Sequence, residues 1–245
     1  MEVHHHSHSG RKKWTHYLWE FLMLFLAVFC GFLAEYQLEH TIEHQREKQF
    51  IESMIEDLKS DTTSLNKAIE RSFNQINGKD TFIQMMDQDK WTPAEVSRLY
   101  DLHWNYLGHS DDVLFSKRTI TQLFNAGGLR MIRNKRASDS ITLYALGIER
   151  IETKAAPLNL EYSKLVLNTS ASIFDNRFIH YVVDSGRRIL PNPTLLTTDR
   201  KEIKKFAFML EQDKDYLGSY LSYLLRQKQF AAKLIALLKK EYHVD

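Results

Sequence analysis

Cysteine occurs once in 245 residues, proline four times and glycine nine times. A single cysteine excludes an intrachain disulfide, and the count leaves the redox compartment open. So few turn formers over this length argue against a many-turned β architecture and favour long helices. The formal net charge is only +2, which excludes a whole-molecule basic field that would recruit nucleic acid. Phosphate-binding glycine motifs of the G-x-x-x-x-G-K-[ST] and G-x-G-x-x-G types are missing, as are a cysteine cluster and a nucleophile elbow. No reaction is legible from these residues, and the expectation is a protein without catalytic role, cofactor or metal.

Long apolar runs are also scarce, and the one exception organises the chain. Phe21 to Ala34 is free of charge, and extending back through Tyr17, Leu18 and Trp19 supplies the ~20 residues a membrane helix needs. Trp14, Tyr17 and Trp19 suit the interface. Glu20 then falls about one turn inside the headgroup boundary, where a carboxylate is a candidate helix-association contact. Cleavage as a signal peptide fits poorly, because Phe32 stands where a small residue belongs. Lipidation at Cys30 fits poorly too, because Phe29 precedes it and apolar residues follow. Cys30 reads as an apolar residue of the span, with a cross-link between two copies as the alternative. Residues 14–35 are therefore expected to be an uncleaved, single-pass helix.

Arg11, Lys12 and Lys13 precede the span, whereas Glu35, Glu39, Glu43 and Glu47 follow it. The positive-inside rule places the N-terminus in the cytoplasm and the bulk of the chain outside, in the periplasm of a two-membrane bacterium. Residues 1–13 form a short tip with four histidines among the first ten positions, read as a disordered end or tag-like segment.

Residues 36–50 read as a charged stalk helix. From there the spacing predicts helices: a seam at Ile51, Ile55, Leu58, Thr62, Leu65, Ile69 and Ile76, with a stop at Asn77-Gly78. Thr92-Pro93-Ala94-Glu95 predicts a capped helix running to about Leu107 and ended by Gly108. Another is expected from Ser110-Asp111 to the reversal at Gly127-Gly128. The pattern resumes at Leu129, with a seam at Ile141, Tyr144, Ile148, Ile151, Ala155, Leu158, Tyr162 and Leu165. Pro157 should kink or break that helix near Ala155 or Ala156. Residues 173–184 read as helix, with a short strand as the alternative, and Gly186 to Thr198 as loop. Asp199 and Glu202 open a last helix to about Tyr242, with a seam at Ile203, Ala207, Leu210, Leu217, Leu221, Leu224, Ala231, Ile235 and Leu238, interrupted by Lys214 and Lys228. The expected fold is all-α: an N-terminal transmembrane helix continuing into the stalk, followed over 51–245 by an antiparallel helical bundle.

Two motifs invite chemistry. His40-Thr41-Ile42-Glu43-His44 matches the H-x-x-E-H spacing of zinc peptidases. Its place on a charged stalk argues against a dry, supported metal cavity, so it reads as a solvated acidic face. Arg130 and Arg133 follow the double glycine among Lys117, Arg118, Lys135 and Arg136; they are candidate contacts for an anion or a partner, against a solvated basic face as the plainer reading.

Two stretches resemble an uncharacterised family of single-span proteins common in Bacteroidetes-type bacteria. The first is carried by Glu20, Phe21, Phe25, Leu26, Ala27, Gly31, Ala34 and Glu35, then Glu56, Asp57, Leu58, Lys59 and Asp61. The second is carried by Leu123, Gly127, Leu129, Arg130, Ile132, Arg133 and Asn134. Together they cover about a third of the chain. The resemblance implies a membrane helix plus helical domain of unknown function, brings no reaction, and adds Asn134 to Arg130 and Arg133 as a candidate contact.

The reading reached from sequence is an assembly or interaction subunit of a membrane complex. Its expected partners are the bilayer and another membrane protein, or a second copy, met through the span. The alternative is an extracytoplasmic sensor module that binds a small anion and signals through a partner, since thirteen residues before the span are too few for an output domain.

Overall fold

The computed structural model describes residues 14–108, 112–125, 127–182, 186–189 and 192–244. The histidine-rich tip and its basic residues, 1–13, lie outside the described residues, as do Ser110 and Asp111. The chain forms two compact units, Met1–Gln49 and Phe50–Asp245. Helix α1, Trp14–Met86, contributes to both.

In the first unit α1 is a continuous helix whose side chains from Trp14 to Arg46 are all exposed, and Glu47 is buried. Among the described residues it is the one helix long and apolar enough to cross a membrane.

Among the described residues the second unit is all-α apart from one short antiparallel strand pair. It comprises the rest of α1, α2 (Pro93–Tyr106), α3 (Arg118–Asn125), α4 (Lys135–Arg150), α5 (Ala156–Ser170) and α6 (Arg200–Tyr242). Helices α1 and α6 run antiparallel: Lys79 meets Asp213, Lys214 meets Asp80, and Arg200 reaches the end of α1. Three apolar clusters fill the bundle along its length. Ile51 to Leu58 pack with α4 and Leu234–Leu238, Leu65 to Ile69 with Ile151 and Leu217–Leu224, and Phe82 to Met86 with α2, Val166, Phe174 and Ile203–Leu210.

The α6 seam is more regular than its apolar residues suggest. Ile203, Phe206, Leu210, Asp213, Leu217, Tyr220, Leu224, Gln227, Ala231, Leu234 and Leu238 are all buried, at alternating intervals of three and four. The expected interruption by Lys214 and Lys228 is a matter of phase, because the polar residues on the buried line are Asp213 and Gln227. In α1 the buried line runs through Ile51, Met54, Leu58, Asp61, Leu65, Ala68, Ser72, Lys79, Phe82 and Met86. Ile55 and Ile69 flank it, buried, while Thr62 and Ile76 are half-buried.

Several expected boundaries move, each for a visible reason. Helix α1 passes through Asn77-Gly78. A Cβ on Gly78 would lie 2.3 Å from the Tyr106 ring, so this glycine admits α2 and does not end α1. The helix stops at Met86, where the Arg200 guanidinium donates to the carbonyls of Met86, Asp87 and Gln88 at 3.3, 3.1 and 2.6 Å. Helix α2 starts as expected with a Thr92–Glu95 capping box, and Gly108 follows it with φ +72°.

Helix α3 begins only at Arg118, where carboxylates of α1 take the Ser116 and Thr119 N–H groups. The double glycine does reverse the chain, Gly127 having φ +64°, but a 3-10 turn at Gly128–Met131 comes before α4. Asn134 then caps α4, its side chain accepting from the Ala137 N–H at 3.1 Å.

Pro157 does not break the helical path. A π turn at Ile151–Ala155 joins α4 to α5, with the Ala156 N–H bonded to the Ile151 carbonyl, so the ring meets no regular i−4 acceptor. The extra residue rotates everything after it. Asn159, Ser163, Val166 and Ser170 face inward, whereas Leu158 and Leu165 are exposed. The expected seam through Leu158, Tyr162 and Leu165 is therefore displaced by one position.

The described part of 173–184, residues 173–182, is not α-helical, and 183–184 lie outside the described residues. Phe174 bridges Leu195, a 3-10 turn covers Asn176–Phe178, and β1 (Ile179–Val182) pairs antiparallel with β2 (Gly186–Ile189), which had been expected as loop. The Tyr100 hydroxyl fixes this exit, accepting from the Asp175 N–H at 2.8 Å and donating to the Thr194 carbonyl at 2.9 Å. Phe174 packs its ring edge-on against Phe82, Tyr100 and Phe206, an arrangement a continued helix would forgo.

Candidate functional site

The span presents two different stripes. Glu20, Leu24, Ala27, Gly31 and Ala34 recur at intervals of four and three and share one face. Glu20 Oε1 lies 3.1 Å from His16 Nε2 one turn earlier, and both side chains are half-exposed. Phe21, Phe25 and Phe29 stack along another stripe, with ring centroids 6.3 and 6.0 Å apart. Cys30 is exposed.

His40 and His44 stand on the exposed helix beyond. His40 lies against the Tyr36 ring, and His44 Nδ1 is 3.7 Å from Glu47 Oε2. No group of three or more His, Cys, Asp or Glu side chains converges to hold a metal among the described residues.

The basic turn is divided. Arg130 and Arg133 are exposed, Arg130 in the 3-10 turn and Arg133 before α4. Asn134 is committed elsewhere. Besides capping α4, its Nδ2 donates to Glu241 Oε2 at 2.7 Å, tying the start of α4 to the end of α6, and Arg136 lies 3.8 Å from the same carboxylate. The helix-start amide that an anion would use at Ala137 is already taken.

A polar latch connects α1 to the start of α3 and to α4. Asp57 accepts from the Thr119 N–H at 3.0 Å and from Arg118 Nη2 at 3.1 Å. Asp61 accepts from the Ser116 N–H at 2.6 Å and from the Tyr144 hydroxyl at 2.7 Å. Two carboxylates one turn apart on α1 thus cap α3 from outside and anchor α4. Burial pushes the Asp61 carboxyl above its ordinary range, against the hydrogen bonds from Ser116 and Tyr144, with Asp57 adding to the rise. Burial also pushes the Tyr144 phenol up, with Asp61 beside it.

A second polar group lies in the next layers. Lys79 Nζ and Asp213 Oδ2 are 2.7 Å apart and almost fully buried, and Ser163 donates to Asp213 Oδ1 at 2.9 Å. Gln227, the other polar member of the α6 seam, donates to the Tyr144 carbonyl at 3.0 Å. Because it places the breaks of the α6 seam one position on, at Lys214 and Lys228, sequence reasoning misses Asp213 and Gln227. The available signal was their exact fit to its three-four spacing.

Two hollows flank the π turn and share Ile151 as a wall. One, about 410 Å³, is lined by Val113, Leu114, Pro157, Leu160 and Tyr220 with Asp112 and Glu152. The other, about 330 Å³, lies between α4 and α6. A helix widened to a π turn beside cavities is a frequent setting for function.

Compared with protein-family models, with curated proteins and with solved structures, this chain matches none.

Proposed function

We propose that this chain is a non-catalytic, membrane-anchored assembly subunit, which joins another membrane protein through its span and presents the helical bundle to a further partner. The observation that carries the reading is the face of the span. Glu20 shares a stripe with Ala27, Gly31 and Ala34, and among the described residues the side chains from Trp14 to Arg46 are exposed. A carboxylate at this depth favours a polar partner, and small residues below it let a second helix approach closely. The bundle suits a supporting role, since its buried polar groups are engaged in holding helices in register.

In this reading the protein lies in a bacterial inner membrane with its N-terminus cytoplasmic and its bulk periplasmic, as flanking charge suggests. The resemblance to the uncharacterised single-span family belongs to the same proposal. The anion-sensor alternative loses support at Asn134, whose polar atoms are occupied by Ala137 and Glu241.

Affinity purification from native membranes in mild detergent tests the proposal. Wild type is expected to bring down a stoichiometric membrane partner or a second copy, and Glu20→Leu to lose it. A wild type that purifies as a monomer without partners sinks the proposal.

A further inference from the structure

Helices α4 and α6 run antiparallel and leave between them the hollow of about 330 Å³, near the lower end of the roughly 300–1,000 Å³ typical of small-molecule sites. Each helix contributes residues at i, i+3, i+4 and i+7: Leu143, Leu146, Gly147 and Arg150 from one, Tyr223, Arg226, Gln227 and Phe230 from the other. Gly147 gives the hollow its floor. A Cβ there would fall 2.1 Å from Gln227 Oε1, so the glycine leaves room for the Gln227 side chain to pass beneath α4 to the Tyr144 carbonyl.

The walls are apolar and open to solvent, with Leu143 57% and Leu146 53% exposed. No carboxylate lines the hollow. Arg150 and Arg226, one on each helix, have neither a hydrogen bond nor an ion pair among the described residues. Arg150 and Arg226 are themselves exposed, so the hollow offers solvent two unengaged guanidinium groups beside its exposed leucines. The neighbouring hollow across Ile151 has the opposite character, with Asp112 and Glu152 at its edge.

We infer that the α4–α6 hollow binds a small amphipathic anion, a single-chain carboxylate whose tail lies on Leu143, Leu146 and Phe230 while Arg150 and Arg226 take its head. Guanidinium groups suit a carboxylate because they donate in a planar fork, and the apolar walls recover the tail from water. This goes beyond the assembly role and does not depend on Glu20.

Equilibrium dialysis of radiolabelled decanoate tests the inference. Full-length protein in phosphatidylcholine nanodiscs is compared with empty nanodiscs, and butyrate and decanol serve as the tail-less and uncharged controls. Saturable decanoate binding above the empty-disc background is expected, with both controls and the Arg150→Gln/Arg226→Gln variant at least about tenfold weaker. Discs doped with phosphatidylglycerol identify the source. Persistence of decanoate binding supports a free single-chain carboxylate, and its displacement assigns the hollow to a phosphate-bearing bilayer lipid and overturns the carboxylate. No saturable binding overturns the inference. So does decanol binding as tightly as decanoate, or a double variant that folds, by its unchanged melting temperature, and still binds like wild type.

Discussion

The Tyr144 hydroxyl donates to Asp61 at 2.7 Å across 83 residues of sequence, and both groups are almost fully buried. Asp61 spends its other oxygen on the Ser116 N–H, so one carboxylate fixes α4 and the approach to α3 together.

That carboxylate sets a pH dependence. Its pKa is raised in the fold, so its contribution to stability is fully present below the ordinary value of 3.8 and is lost as the pH rises through the raised value. Denaturant titrations of wild type and Asp61→Asn across that window are expected to differ in slope. Wild type loses stability with rising pH relative to the variant. Parallel curves would show that burial of Asp61 is not felt energetically.

Asp57, one turn earlier, carries a separate load. Asp57→Ala leaves the Thr119 N–H buried without its acceptor and is expected to cost about 1–3 kcal/mol. Hydrogen exchange on peptides covering 113–125 should accelerate more than exchange in α6. Uniform acceleration would mean that the latch is not local.

The Lys79–Asp213 pair makes a prediction that separates single from double changes. Lys79→Met strands a buried carboxylate and is expected to cost about 3–5 kcal/mol, whereas Lys79→Met with Asp213→Leu returns close to wild type. Equilibrium unfolding of the set measures this. A double variant as unstable as the single would contradict it.

The π turn can be tested through the residues it rotates. Val166→Ala removes two buried methyl groups at about 0.8 kcal/mol each, so about 1.5 kcal/mol is expected. Leu165→Ala, at an exposed position, should stay within about 0.5 kcal/mol. The reverse order would place the seam where a regular helix puts it.

These tests also mark where the sequence was readable. The span, the Thr92 cap, the Gly127 reversal and the Asp199–Tyr242 helix are local signals, set by composition, capping chemistry and spacing within a few turns. What escaped depends on distant partners. Gly78 reads as a terminator until Tyr106 is placed on it, and Arg118 starts a helix late where Asp57 and Asp61 arrive from sixty residues away. The α6 seam reads as interrupted at Lys214 and Lys228 until Lys79 and Tyr144 show that Asp213 and Gln227 lie on its buried line. Pro157 was legible as a disturbance, yet the one-residue shift it brings to α5 is a property of the π turn and not of any residue's preference. At the candidate sites, Glu20 was visible from its depth in the span. Arg150 and Arg226 carry no local mark and stand out only when α4 and α6 are laid side by side.

The central claim is that the span meets another membrane helix on the Glu20 face. Site-specific photo-cross-linking in native membranes tests it most directly, with the photoreactive residue placed in turn at Ala27, Gly31, Phe25 and Phe29. The account predicts discrete adducts from Ala27 and Gly31, none from Phe25 or Phe29, and their loss when Glu20→Leu is added. Equal labelling from all four positions, or no adduct from any, would contradict it.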